Sequence, residues 1–354
     1  MNTALVVFTA TTVVSALTLF TLLKSSLASS ILDHPNRANA MHVVPTPRMG
    51  GLAIVIAVAA MVVVSALSIS FRSLLPALLG ALVLAIVSFV DDRVGLGALV
   101  RLAMQIAVAT AVCVWWYQMQ QLEISSQNLV QRPVSWLNFL AISGVILSIT
   151  WATNLFNFMD GADGLAGGMA FFGFGAFTIA ASQFMPNSPD ADAMTTLCAS
   201  ISGAALGFLF FNFSPAKVFM GDAGSIPLGF LAAVLGIHGV SVSLWQWWFP
   251  LLVFSPFIID ATTTLIKRIV RREKIWIAHR QHYYHQLILS GWNHRRVALS
   301  YYGVMIACAG SALVARDLAF PAPLLAFWVV TYVTLIIFLE RHFKSIFESK
   351  DSGK

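Results

Sequence analysis

Three stretches of the chain carry residue types suited to holding a cation against a phosphate. NLFNFMDGADGLAGG sets Asn154, Asn157, Asp160 and Asp163 at three-residue intervals. NFSPAKVFMGDAGS contains Asn212, Lys217, Phe219 and Asp222, and VDDRVGLG contains Asp91 beside Asp92. Aspartate is a short, rigid source of hard oxygen ligands, and lysine offers a point charge for phosphate. Asp91, Asp92, Asp160, Asp163 and Asp222 all abut strongly apolar runs. A carboxylate costs roughly 2.5–3.5 kcal/mol at the centre of a membrane helix and less near the interface. A helix cap explains one such residue, but five of them indicate a shared purpose.

Spacing limits how these groups can meet. Neighbours among Asn154, Asn157, Asp160 and Asp163 share a helix face, yet three such steps rotate by about 180°. The spacing therefore predicts a helix ending near Phe158, with Gly161 and Gly164 turning the carboxylates inward. Pro215 is expected to end the preceding helix, and Gly221 and Gly224 to bracket Asp222 in a turn. Backbone N–H groups at the next helix N-terminus suit an anionic oxygen. Asp91 and Asp92 diverge by about 100° on a helix, so they should do different jobs.

Two basic segments accompany the aspartates. LDHPNRANAMHVVPTPRMGGLAI carries Arg37, His42, Thr46 and Arg48 ahead of two glycines. KRIVRREKIWIAHRQHYYHQLILSGWNHRR places Lys267/Arg271 and Arg268/Arg272 at i,i+4, which predicts a basic helix drawn to anionic headgroups at about 1 kcal/mol per charge. Within it, His279, Arg280, His282 and His285 form a donor-rich group for phosphate. No carboxylate or cysteine partner stands at zinc-ligand spacing, so a zinc site is not expected there.

The elements that must position these residues are membrane helices. The chain has 354 residues, 58% hydrophobic and only 10% charged, with mean hydropathy +0.81, far from the composition of a soluble domain. Eleven apolar runs are long enough to cross a hydrocarbon core about 30 Å thick. They cover roughly 4–23, 51–70, 74–90, 99–117, 136–155, 165–184, 193–212, 226–243, 247–266, 297–315 and 321–339. Backbone hydrogen bonding in lipid requires helices, so the fold class is an all-α membrane protein, read as one polytopic domain over residues 1–354. Nothing basic precedes the first run, which is too long for the apolar core of a signal peptide and reads as a retained span. Cys113, Cys198 and Cys308 lie inside apolar runs, so they read as packing rather than disulfides.

Basic residues orient the chain. Of 21 Lys and Arg, only Arg72, Arg132 and Arg316 fall on one side. The positive-inside rule then puts the N-terminus in the periplasm and the C-terminus in the cytoplasm. The site loops, about 24–50, 91–98, 156–165, 213–225 and 267–296, all fall on the cytoplasmic face. The pI of 9.4 thus reflects an inner membrane face in contact with lipids, and no nucleic acid partner is expected.

Together and in this order, PNRANAMHVVPTPRMGG, FVDD, NLFNFMDGADGLAGG, PAKVFMGDAGS and HRQHYYHQL resemble the polyprenyl-phosphate N-acetylhexosamine-1-phosphate transferase family. The resemblance covers nearly the whole chain. It implies transfer of a sugar-1-phosphate from a UDP-N-acetylhexosamine to undecaprenyl phosphate at the bacterial inner membrane, releasing UMP, with Mg²⁺ or Mn²⁺ in its place. It makes Asp91, Asp92 and Asp160 the catalytic carboxylates, with Asp222 and Asp91 at the metal. Asn154, Asn157 and Asp163 would line the nucleotide, Asn212 and Phe219 the uridine, and the histidine segment the diphosphate. Lys217, Arg37, His42, Thr46 and Arg48 complete the substrate-binding set. Members of the family often form homodimers. The peptidoglycan-precursor enzyme has consecutive histidines where this chain has HRQHYYH, so the form resembles enzymes initiating O-antigen-like surface polysaccharide rather than those using UDP-MurNAc-pentapeptide.

Two rivals remain on the residues alone. A cation-coupled transporter also uses buried aspartates and broken helices, but near the midplane and between repeats. A CDP-alcohol phosphatidyltransferase is similarly rich in aspartate, but DGADGLAG lacks the arginine of its signature.

Overall fold

The computed structural model describes residues 2–33, 41, 44–126, 136–184, 188–316, 318 and 320–352. Arg37 and His42 lie outside the described residues. The chain begins with α1 (Asn2–Lys24), the short α2 (Leu27–Ser30) and a two-stranded antiparallel ribbon. In the ribbon, β1 (Leu32–Asp33) pairs with β2 (Thr46–Pro47). There follow α3 (Gly50–Ser65), α4 (Leu75–Val94), α5 (Ala98–Ser126), α6 (Trp136–Phe158), α7 (Leu165–Phe184), α8 (Pro189–Asn212) and α9 (Asp222–Ser241). The last elements are α10 (Trp248–Val253), α11 (Ser255–Val270), α12 (Tyr283–Leu289), α13 (His294–Val314) and α14 (Ala322–Ser352).

Among the described residues, nine helices are long and apolar enough to cross a membrane. The protein is therefore an all-α, multi-pass membrane protein. The other two expected runs differ in form. The run at 51–70 is helical only as the 16-residue α3, which at 1.5 Å per residue is shorter than the ~30 Å core. The run at 247–266 is divided at Phe254 into α10 and α11, because Pro256 has no N–H to continue the first helix and suits the first turn of a new one.

Two helices form the middle of the bundle. In α9, 83% of the membrane-crossing window is buried in protein and in α8 78%, against 6% in α14. Accordingly α8 packs against α1, α3 and α7, while α9 packs against α4 and α6; α14 presents its apolar surface outward, as a lipid-facing helix does. All three cysteines are free and buried.

One crossing sets the geometry of the site. A Cβ on Gly51 would lie 2.3 Å from Gly224 N, so only glycine lets the N-termini of α3 and α9 touch. Gly50 and Gly51 N–H groups donate to the carbonyls of Phe219 and Met220 at 2.9 and 2.8 Å. That contact sets Arg48, two residues before α3, beside Asp222, the first residue of α9.

Candidate active site

Four aspartates reach this crossing from three helix ends. α4 terminates on Gly95, whose left-handed φ of 73° turns the chain toward α5. In its last turn Asp91 and Asp92 separate as adjacent helix positions must. Asp91 Oδ1 accepts from Leu96 N at 2.5 Å and its Oδ2 from Arg101 Nη1 at 3.2 Å. Asp92 instead pairs with Arg48, at 3.0 Å.

Asp222 joins the two arms. Its Oδ1 accepts from Arg48 Nη2 at 3.0 Å and from Asn157 Nδ2 at 3.1 Å, and its Oδ2 from Arg101 Nη1 at 3.1 Å. Asn157 Nδ2 also donates to Ser225 Oγ at 2.9 Å. Gly221 supplies the turn before Asp222, at φ 75°. Gly224, expected in that turn, is already helical, and its role is the close approach to Gly51.

The Asn154–Asp163 stretch breaks where its spacing predicted. α6 ends at Phe158, and the chain turns through Gly164 at φ 77° into α7. Asp160 is carried into the cluster. Burial pushes its carboxyl well above the ordinary carboxylate range; Asp222 and Asp92 push it further, against Arg48 and the Gly221 N–H. Arg48 feels the same crowding from the other sign: burial opposes its charge, and Asp222, Asp92, Asp33 and Asp160 restore it.

Other expected residues have different neighbours. Asn154 Nδ2 donates to Gln105 Oε1 at 2.6 Å and to the Thr150 carbonyl at 2.8 Å, one helical turn back from the carboxylates. Asp163 Oδ2 accepts from Ala216 N at 3.1 Å, and His294 Nδ1 lies 3.3 Å from its Oδ1. Burial raises the Asp163 carboxyl, but His294 and these donors outweigh it and hold the group below its usual range. Asn212 accepts from Gly164 N at 2.9 Å and donates to Val218 O at 2.8 Å, tying together the loops after α6 and α8. The Phe219 backbone pairs with the Arg48 strand, leaving its ring half-buried. Lys217 is exposed, and the Thr46 hydroxyl donates within its own loop to Val44 O at 3.0 Å.

The histidine segment does not behave as a simple basic helix. Arg268, expected at the headgroups, is buried; it meets Glu273 at 3.2 Å and donates to Lys274 O at 2.7 Å. The organiser is Asp260 in α11. Its carboxylate accepts from Tyr283 N at 2.9 Å, Tyr284 N at 3.2 Å and Tyr301 OH at 2.5 Å, with His282 Nδ1 at 3.3 Å. These bonds fix the start of α12, and Tyr284 OH then donates to Phe158 O at 3.0 Å. A Cβ on Gly161 would lie 3.2 Å from His285 Nε2, so His285 stands directly against the Asp160–Asp163 loop. Both of its ring nitrogens are buried without a hydrogen-bond partner among the described residues. Burial, reinforced by His282, lowers its pKa to about 3, and His279 is lowered in the same way to about 4. His279 and His282 rings lie 4.9 Å apart, continuing the row. Arg280 is half-buried in the same loop.

Arg101, Ser225, Asp260 and His294 were not among the expected site residues. Arg101 had a signal, a cation in the first turn of an apolar helix, which served only as a marker of orientation. Asp260 was visible as a carboxylate inside an apolar run.

Among the described residues, no three His, Cys, Asp or Glu side chains stand in ready ligand geometry for a metal ion. Arg48 and Arg101 sit between the carboxylates instead. The donor set nevertheless fits a hard divalent cation, being all oxygen, with the charge of Asp160 disfavoured first by burial and then by Asp222 and Asp92.

The sequence profile described as glycosyl transferase family 4 matches residues 74–240, which hold all four clustered aspartates. The chain is 30% identical over 313 residues to the probable undecaprenyl-phosphate N-acetylglucosaminyl 1-phosphate transferase of Bacillus subtilis, across 87% of this chain and 82% of that protein. It is also 30% identical over 337 residues to the decaprenyl-phosphate N-acetylglucosaminephosphotransferase of Mycobacterium leprae, across 86% and 83% of the two chains. A phospho-N-acetylmuramoyl-pentapeptide-transferase of Halalkalibacterium halodurans is 29% identical over 287 residues, 76% of this chain and 82% of its own. Identity of 30% over most of both chains settles the relationship: the chain belongs to glycosyl transferase family 4, among the polyprenyl-phosphate sugar-1-phosphate transferases.

Proposed function

We propose that the protein transfers N-acetylhexosamine-1-phosphate from a UDP-sugar to undecaprenyl phosphate, releasing UMP, at the cytoplasmic face of the bacterial inner membrane. The observation that carries this reading is the meeting of Asp91, Asp92, Asp160 and Asp222 with Arg48 and Arg101 at one set of helix ends. Phosphoryl transfer needs positioned charge more than covalent chemistry, and this cluster offers both signs within a few ångströms. A divalent cation, Mg²⁺ or Mn²⁺, held by Asp222 and Asp91, with Asp92 and Asp160 beside them, would supply neutralisation of the diphosphate. Arg48 and Arg101 hold the carboxylates in place and can turn toward phosphoryl oxygens. His285 and His279, neutral near pH 7, offer imidazole N–H donors to the diphosphate rather than charge. The orphaned nitrogens of His285 favour a ligand there, because buried polar atoms are normally paired.

A lipid phosphomonoester has its second pKa near ~6 and is mostly dianionic at neutral pH. Asp91 and Asp92 therefore position the acceptor rather than deprotonate it. A transporter is disfavoured because the carboxylates sit at helix termini, Asp91 in the last turn of α4 and Asp222 at the first residue of α9, not at mid-span. The HRQHYYH motif favours a UDP-N-acetylhexosamine over UDP-MurNAc-pentapeptide, and with it a role in starting O-antigen-like polysaccharide.

The test is UMP release by the purified protein with undecaprenyl phosphate and a panel of UDP-GlcNAc, UDP-GalNAc and UDP-MurNAc-pentapeptide. Release with an N-acetylhexosamine donor, abolished by chelator and restored by Mg²⁺, is expected. Release only with the pentapeptide donor would move the assignment to the peptidoglycan branch, and no release with any donor would overturn it.

A further inference from the structure

On the side of α12 opposite the aspartates lies a cavity of about 450 Å³. Tyr284 and His285 face Gly161 and the catalytic loop, whereas Tyr283 and Gln286, three residues apart, line this cavity. Its other walls are the end of α11, with Lys267 and Arg271, and the far part of α14, with Glu340, Arg341 and Lys344. Among the described residues, four cationic side chains and one carboxylate line the cavity. Lys267 Nζ donates both to Glu340 Oε1 and to Tyr283 OH, so the glutamate's charge is already matched. Arg271 and Arg341 add positive charge beyond that match, and an oxyanion is the natural complement.

Position and surroundings identify the kind of anion. α14 is 31 residues long, while ~20 residues cross a bilayer core, so Glu340–Lys344 lie about where that helix leaves the hydrocarbon. Val270 on α11 and Phe338 on α14, each about 60° of helix rotation from a lining position, are exposed at 76% and 63%. Cations at headgroup depth flanked by exposed apolar residues match the two ends of a phospholipid. We propose that this cavity binds the phosphate of an anionic phospholipid, whose acyl chains lie along α11 and α14. It is separate from the acceptor site, because the acceptor's phosphate must reach the aspartates on the other side of α12. An occupant here would brace Tyr283 and so the histidine row, coupling membrane charge to the site.

The test uses the full-length protein in neutral phosphatidylcholine nanodiscs titrated with phosphatidylglycerol, reading bound phosphatidylglycerol by native mass spectrometry and the unfolding temperature. Wild type should retain one phosphatidylglycerol in preference to phosphatidylcholine, with a raised unfolding temperature. The double variant Arg271→Gln/Arg341→Gln should retain at least tenfold less, and Arg271→Lys/Arg341→Lys should hold it as wild type does. Equal retention of both lipids by wild type would overturn the proposal without recourse to any variant, as would a Gln variant that binds like wild type. Stabilisation of the wild type by inorganic phosphate alone, equal to that by phosphatidylglycerol, would make this a free-phosphate site and overturn the lipid assignment. None of these readouts depends on the transfer reaction.

Discussion

The Arg48 guanidinium donates to Asp222 Oδ1 across 3.0 Å, joining two residues 174 positions apart in the chain. With its other nitrogen it reaches Asp92, also at 3.0 Å, so one planar fork ties the end of α4 to the start of α9. A planar fork holds the two carboxylates with two separate nitrogens in fixed directions, whereas an ammonium must reach both from a single point. Arg48→Ala should lower the rate of UMP release by about 10²–10³-fold, the usual effect of removing one preorganised donor. Arg48→Lys should recover only a small part of that loss. An Arg48→Lys enzyme as fast as wild type would show that charge alone matters here.

The acid limb of the rate profile should belong to the lipid phosphate. Activity is expected to fall below pH ~6, as the phosphomonoester gains its proton. If Asp91 positions the acceptor, Asp91→Asn should be slower throughout yet keep the same limb. Measured kcat/KM against pH for the two enzymes decides this, and loss of the limb in the variant would make Asp91 a base.

Asp260 should matter although it lies behind the histidine row. It accepts hydrogen bonds from Tyr283, Tyr284, Tyr301 and Thr264 and pairs with His282. Asp260→Ala leaves buried donors unsatisfied and should cost ~3 kcal/mol or more. The milder Asp260→Asn, which keeps an acceptor, should fold and raise KM for the UDP-sugar more than it lowers kcat, if the loosened histidine row is the one that meets the diphosphate. Unchanged KM with lowered thermal stability alone would assign Asp260 a purely structural part.

His279 and His285 should make the protein sensitive to acid. Both have pKa values below the ordinary 6.5, about 4 and about 3, because burial disfavours the imidazolium. The unfolded chain therefore binds more protons than the folded one between these values and 6.5, so stability is full above pH 6.5 and falls as pH drops toward 4 and then 3. The unfolding temperature followed from pH 7 to pH 4 should show this slope, and His285→Gln should flatten it. A slope unchanged in that variant would place the acid-sensitive groups elsewhere.

Much of this protein is local information. Long apolar runs dictate membrane helices because lipid satisfies no backbone hydrogen bond, and nine of the eleven runs form such helices among the described residues. The break after Phe158 and the divergence of Asp91 from Asp92 follow from helical rotation, which any reader can count. Pairing is different in kind. Nothing in the hydropathy of α5 distinguishes Arg101 as a bridge between Asp91 and Asp222, since that role needs three helix ends to meet. Likewise Arg48 reaches Asp222 because Gly51 lies against Gly224, a backbone contact between segments far apart in sequence. The same holds for Asp260, whose donors arrive from α12 and α13, and for Arg268, turned inward to Glu273 rather than outward to lipid. Residue type and spacing determined which groups the chain had to bury; which charges neutralise one another was decided only by packing, because Coulomb and hydrogen-bond energies depend on distances in space that sequence separation does not encode.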